Sequence, residues 1–174
     1  MHLSRRASSP VQGEAPQPNG HHPVPNDAIY RIYFHGPAYQ VLDRVELCKH
    51  SVRSRFRVNL PPALARQSPT VMAPRVIEMV LQTAGVYEIA RTGRLALPAG
   101  IERLVSHATP SEDVALFAEV VPRSVGAELT FDARVCDASG RVYLEIVGYR
   151  TSALPTGLSE ELLSPLRRGM EASA

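Results

Sequence analysis

The chain of 174 residues is 44% apolar, 21% charged and 6% aromatic, and it contains no Trp. This length suits one globular domain with a tail, and no apolar run is long enough to cross a bilayer. Nineteen Lys and Arg against seventeen Asp and Glu leave a formal charge of +2. Nucleic-acid binders carry a concentrated basic excess, so we expect neither a nucleic-acid nor a membrane partner.

The cysteines and histidines suggest no metal site. Cys48 and Cys136 lie far apart in the sequence, and the N-terminus lacks the pattern of a secretory signal. We therefore expect two reduced thiols and a cytoplasmic location. Adjacent histidines, His21 and His22, fall in a tail without further ligands at metal-site spacing. Since dinucleotide and phosphate-binding glycine motifs are also absent, no metal or bound cofactor is expected.

The two ends of the chain differ in composition from the middle. Five of the fifteen prolines fall within residues 1–26, among Gly, Ser, Gln and Asn. Such a segment cannot bury enough apolar surface to offset its ordering entropy, so we expect a disordered linker or tail. The domain is predicted to span residues 27–155. Residues 156–174 are predicted to form a C-terminal helix or tail, capped by Ser159 and weakened by Pro165.

Short apolar runs with β-branched and aromatic residues predict strands on both sides of one helix. They precede the helix at 28–34, 41–48 and 51–58, and follow it at 101–107, 113–122, 128–137 and 141–151. A turn is predicted at 97–100 and a tight hairpin at 137–140.

Residues 74–91 predict the one long helix. Pro74 suits a first helical position and Gly93 suits the end. Apolar residues cover most of the helical circumference, which is typical of a buried helix. The exception is a narrow stripe with spacings of three, four and three, formed by Arg75, Glu78, Gln82 and Gly85. One buried helix against a curved antiparallel sheet predicts an α+β domain with a single hot-dog arrangement.

Four segments, in order, resemble the second hot-dog of polyketide synthase dehydratase domains. They are residues 30–42 (YRIYFHGPAYQVL), 73–85 (APRVIEMVLQTAG), 97–104 (LPAGIERL) and 135–148 (VCDASGRVYLEIVG). The resemblance covers about residues 28–153.

This resemblance implies a site on the helix. Glu78, where the family normally has Asp, would be the acid, and Gln82 would support it. Substrate contacts would come from the turn and from one side of the helix, namely from His35, Gly36, Pro37, Tyr39, Ile77 and Leu81. Burial would raise the pKa of Glu78, whereas Arg75 would oppose this. From the residues alone, Glu78 could instead be a structural partner of Arg75.

The resemblance also implies what the chain lacks. The family's catalytic His lies in a His-x-x-x-Gly-x-x-x-x-Pro motif of the first hot-dog, and no His here fits that motif. We therefore expect the His to come from another hot-dog, which would be a preceding domain, a separate subunit or the second copy in a dimer. His50 and His107 are predicted to be surface residues.

The implied reaction is dehydration of 3-hydroxyacyl thioesters in polyketide or fatty-acid biosynthesis. The substrate would arrive on the phosphopantetheine arm of an acyl carrier protein. The missing His and the change from Asp to Glu leave a second reading, a non-catalytic dehydratase-like module that binds the acyl chain or completes the fold. A third reading is a hot-dog thioesterase, in which the carboxylate would activate water.

Overall fold

The computed structural model describes residues 11–15, 22–48, 50–62, 72–111, 113–124 and 129–172. Its strands are β1 (Val11–Gln12), β2 (Val24–Pro25), β3 (Leu42–Leu47), β4 (Val52–Phe56), β5 (Arg94–Gly100), β6 (Arg103–Ser106), β7 (Leu116–Ser124), β8 (Thr130–Asp137) and β9 (Arg141–Gly157). Its helices are α1 (Asn26–Tyr30), a 3₁₀ turn (Pro37–Tyr39), α2 (Pro74–Thr92) and α3 (Glu160–Glu171).

The strands form one antiparallel sheet in the order β1-β9-β8-β7-β4-β3-β2. The long β9 pairs with β8 along one side, and its other side is shared by β1, β6 and β5. The predicted hairpin between β8 and β9 is confirmed, because the Gly140 N–H donates to the Asp137 carbonyl at 3.0 Å. This order places β2 at one edge of the sheet, and β1, β5 and β6 at the other.

The sheet curves around α2, which confirms the predicted fold. Met79, Val80 and Ala84 on the helix are completely buried, as are Val52 and Val120 on the sheet. Burial of a Met or Val side chain stabilises the folded state by about 1.5–3 kcal/mol relative to leaving it exposed. One polar pair at this interface is formed by the hydroxyls of Ser54 and Thr83, which lie 2.7 Å apart.

The ends of α2 lie close to their predicted positions. Pro74 occupies the first turn, and Gly93 ends the helix with φ of 70°, a left-handed conformation that glycine adopts without strain. The C-terminal helix α3 is also present and tolerates Pro165 within it. The predicted side-chain cap by Ser159 is absent; its backbone carbonyl instead accepts from the Leu162 and Leu163 N–H groups.

The strand predicted at 28–34 is wrong. Residues Asn26–Tyr30 form α1, and the Ile32 and Tyr33 N–H groups donate to the Ile29 carbonyl. A short apolar run fits a strand or a helical turn equally well, and here the burial of Ile29 on the core favours the helix.

The turn predicted at 97–100 is also wrong, because these residues belong to β5. Leu97 pairs with Ser152 and Pro98 with Thr151 of β9. A Pro is tolerated there because β5 is an edge strand, where a missing N–H removes no bond from the ladder.

Parts of the expected N-terminal tail are ordered. Val11 pairs with Val142 of β9, and Val24, which is 2% exposed, pairs with Val45 of β3. The folded region therefore includes residues before the expected start at 27. Residues 1–10 and 16–21, including His21, lie outside the described residues.

Candidate active site

The polar stripe of α2 meets the chain segment that precedes β3. Glu78 and Gln82 lie one turn apart on α2. Across from them are Tyr30 at the end of α1, His35 in the following loop, and Tyr39 in the 3₁₀ turn. All five contribute atoms to one hydrogen-bond network.

Glu78 is held through one of its two oxygens. Its Oε1 lies 3.0 Å from His35 Nε2 and 3.0 Å from Gln82 Nε2. Its Oε2 contacts no polar partner among the described residues, and 24% of the side chain is exposed. One carboxylate oxygen is therefore fixed and the other remains available.

The hydrogen bonds to Glu78 outweigh its burial. Burial alone would raise the pKa of Glu78, but the bonds from His35 and Gln82 lower it below its usual value. The expected opposition from Arg75 is not what lowers it, since Arg75 Nη2 donates to the Pro61 carbonyl instead. In this chain Glu78 is therefore ionised at neutral pH.

Gln82 is the buried centre of the network, with 2% of the residue exposed. Its Nε2 donates to the Tyr39 carbonyl at 2.9 Å as well as to Glu78. Its Oε1 accepts from the Tyr30 hydroxyl at 2.7 Å. The amide is thus satisfied at both ends, which fixes its orientation.

Gly85 completes the stripe by leaving room for Tyr33. The Tyr33 hydroxyl donates to the Gln82 backbone carbonyl at 3.0 Å. A Cβ atom at Gly85 would lie 2.3 Å from that hydroxyl oxygen, which is too close for any non-bonded contact. The side chain of Tyr33 can therefore cross α2 only at a glycine.

The His35 side chain contacts Glu78 and two neighbouring aromatic rings. Its ring lies edge-on to Tyr33 and stacks on Phe34, with 5.3 Å between ring centroids in each case. For Nε2 to donate to Glu78 it must carry a proton, and Nδ1 is buried without a partner among the described residues. Phe34 itself is 81% exposed beside the site.

The other residues predicted to contact substrate lie around this network and differ in exposure. Gly36 and Pro37 are exposed in the turn, and Tyr39 contributes its carbonyl. Ile77 and Leu81 are half-buried on α2. A cavity of about 250 Å³ lies away from this network, between Glu14–Ala15 and the outer face of the sheet.

Two tyrosines were not predicted as site residues. Tyr30 and Tyr33 fall within the strand predicted at 28–34, although their spacing of three places both on one side of a helical turn. Gly85 within an otherwise apolar helix was the available signal for a close approach. His107 also differs from its prediction, since its ring is largely buried and lies 2.8 Å from Glu145.

In the described part of the chain, no group of His, Cys, Asp and Glu is arranged to hold a metal ion. None of its helices has the length and apolar character needed to span a membrane.

Residues 8–161 match the family described as Polyketide synthase dehydratase N-terminal domain. The chain belongs to this family. Its hot-dog fold and its dehydratase-like character follow from that membership, in agreement with the sheet around α2. A search of curated proteins finds no match.

Solved polyketide synthase dehydratases have the same fold. A trans-AT dehydratase domain from Brevibacillus brevis is 20% identical with a TM-score of 0.63, covering 82% of this chain and 55% of that one. The CurF dehydratase of curacin synthase is 18% identical with a TM-score of 0.65, covering 84% and 54%. The PpsC dehydratase of Mycobacterium tuberculosis, in complex with C12:1-CoA, is 19% identical with a TM-score of 0.61, covering 80% and 56%. The chain spans about half the length of these structures.

Proposed function

We propose that this chain is one hot-dog of a dehydratase that acts on 3-hydroxyacyl thioesters carried by an acyl carrier protein. The motifs at residues 30–42 and 73–85 support the position of the second hot-dog, whereas the matched family is described by its N-terminal domain. The supporting observation is the Glu78 carboxylate, which is fixed through Oε1 while 24% of the side chain is exposed. Glu78 would donate a proton to the departing β-hydroxyl, which leaves as water as the double bond forms. A His on another hot-dog would remove the α-proton.

The edge formed by β5 and β6 is where we propose the other hot-dog docks. On this edge Leu97 is 45% exposed, and Ile101, between the two strands, is 38% exposed. Each strand pairs with β9 on one side only within the described residues. A second sheet could continue the ladder there, as a preceding domain, a separate subunit or the second copy in a dimer.

An acid must be protonated before it can donate, and Glu78 has a lowered pKa in this chain. Docking of the second hot-dog and the acyl chain would remove the exposed quarter of the side chain from water. Burial of a carboxyl group raises its pKa, so the complete site would favour the protonated acid.

The ionised state of Glu78 favours one other candidate function. A carboxylate can act as a general base on water, which is the role it would have in a hot-dog thioesterase. That reaction would release a free thiol and a carboxylic acid. Dehydration would instead leave the thioester intact and produce an α,β-unsaturated acyl group.

One assay distinguishes the dehydratase from the thioesterase. The full chain is incubated with a 3-hydroxyacyl acyl-carrier-protein thioester, alone and with a purified hot-dog bearing the His motif, and the products are identified by mass spectrometry. We expect an unsaturated thioester, a decrease of about 10²–10⁴-fold in Glu78→Gln, and retained turnover in the control Glu88→Gln. Unchanged water loss in Glu78→Gln would overturn the acid assignment. Free thiol would identify a thioesterase, and no product in any mixture would favour a non-catalytic module.

A further inference from the structure

The Gln82 amide can face Glu78 in two ways, with opposite consequences. A side-chain amide carries two donor protons on Nε2 and an acceptor at Oε1. With Nε2 toward Glu78 it stabilises the ionised carboxylate, and with Oε1 toward Glu78 it stabilises the protonated acid. Whatever fixes this amide therefore controls the charge of Glu78.

The fixing contact begins with a backbone group at the start of β3. The register between β3 and β4 shifts between Leu42 and Arg44, and the Leu42 N–H donates to the Tyr30 hydroxyl at 2.7 Å. Because a backbone N–H can only donate, the hydroxyl must act as acceptor there. Its single proton is then available for another partner.

That partner is Gln82 Oε1, 2.7 Å from the Tyr30 hydroxyl. With Oε1 accepting, Nε2 turns its two protons to the Tyr39 carbonyl and to Glu78. Burial raises the pKa of Tyr30 far above its usual value, so the hydroxyl keeps its proton. In the series of hydrogen bonds that runs from the Leu42 N–H through Tyr30 and Gln82 to Glu78, each donor and acceptor is therefore determined.

We propose that Tyr30 is a positioning residue that orients the Gln82 amide so that Nε2 faces Glu78. This inference rests on the proposed function and deepens it, because the same orientation decides when the acid can hold a proton. Titratable or charged groups from the loop after α1, from β9 and from the residue after β4 also face this network, namely His35, Tyr33, Tyr149 and Arg57.

The test is the titration of the Glu78 side-chain carbon by ¹³C NMR, assigned by its absence in Glu78→Gln. In Tyr30→Phe the Oε1 end of the amide loses its donor and only the Tyr39 carbonyl still favours the original orientation, so we expect Oε1 to turn toward Glu78 in part of the molecules and the pKa of Glu78 to rise by about one pH unit. Tyr33→Phe is the matched control. It removes a neighbouring hydroxyl that bonds to the backbone carbonyl of the same Gln82, so the pKa of Glu78 should stay near the wild-type value.

A Glu78 pKa that is equal in Tyr30→Phe and wild type overturns the proposal, as does an equal rise in Tyr33→Phe. If Tyr30→Phe does not fold, the wild-type protein provides the test. One Gln82 Nε2 proton should then shift in step with the titration of Glu78, and two unresponsive protons would overturn the orientation.

Dehydration is measured in parallel on the same proteins. A raised Glu78 pKa in Tyr30→Phe without turnover in any mixture supports the positioning role and counts against the proposed function. Turnover that depends on Glu78, with an unchanged pKa in Tyr30→Phe, supports the function and overturns the positioning role.

Discussion

Two carboxylates on α2 show what sets the charge of a buried acid in this fold. Glu78, which is half-buried, and Glu88, which is buried, lie on the same helix, yet their pKa values move in opposite directions. At Glu78 two donors reach Oε1 and lower the pKa. At Glu88, which is 4% exposed, burial raises it, and Oε2 has no partner in the described part of the chain. The two side-chain donors at Glu78, Gln82 on the same helix and His35 from outside it, make the difference rather than burial.

The largest expected effect comes from displacing Tyr33, which supports the donor His35 beside Glu78. Gly85→Ala places a methyl group 2.3 Å from the hydroxyl oxygen of Tyr33. The ring of Tyr33 in turn contacts His35, one of the two donors to Glu78. We expect the free energy of unfolding in urea to fall by about 2 kcal/mol through overpacking.

The double variant Gly85→Ala, Tyr33→Phe separates the clash from helix propensity. Without the hydroxyl, the nearest Tyr33 atom to the new Cβ is the ring carbon at 3.5 Å, an ordinary contact. The double variant should therefore recover most of the loss. Equal stability of Gly85→Ala and wild type would contradict the assigned contact.

The pH dependence of stability should distinguish the two carboxylates directly. A lowered folded pKa means that Glu78 adds stability above its unfolded pKa and loses it as pH falls through the folded value. A raised folded pKa means that Glu88 adds stability at low pH and loses it as pH rises through the folded value.

Urea unfolding between about pH 3 and about pH 8 measures this, with Gln replacing each acid in turn. Glu78→Gln should flatten the acid side of the profile, and Glu88→Gln should flatten the neutral side. The two variants are matched controls for each other. Identical profiles would show that the two environments do not differ.

The smallest expected effect is that of Arg75→Gln. Arg75 lies one turn before Glu78, but its Nη2 donates to the Pro61 carbonyl. Removing its charge should leave the ¹³C-detected pKa of Glu78 unchanged within error. A clear rise would mean that long-range charge contributes to the difference between the two carboxylates. Tyr30→Phe serves as the positive control.

Much of the fold could be predicted because it depends on local periodicity. The helix at 74–91 and the hairpin at 137–140 follow from residue spacing and turn chemistry, and both are present. Predictions were wrong where a short segment fits two structures. The apolar pattern of residues 28–34 fits a strand as well as a helical turn. Residues 97–100 contain a Pro, which a strand tolerates only at a sheet edge.

The site was predictable only in part. Glu78 and Gln82 share a helix face by their spacing, so the sequence places them together. Tyr30 could not be foreseen, because its role depends on the Leu42 N–H at the start of β3, which donates to the Tyr30 hydroxyl. Tertiary packing brings these two groups together, and no local sequence pattern records it.

The sequence by itself determined a buried helix with one polar stripe, because a period of 3.6 residues fixes which side chains share a face. Only the tertiary structure decided that the acid on this stripe is ionised. Its donors and their orientation depend on His35, Tyr30 and the first residues of β3, which packing brings against α2 from far earlier in the chain. A charge state is a property of these assembled neighbours and not of the residue alone.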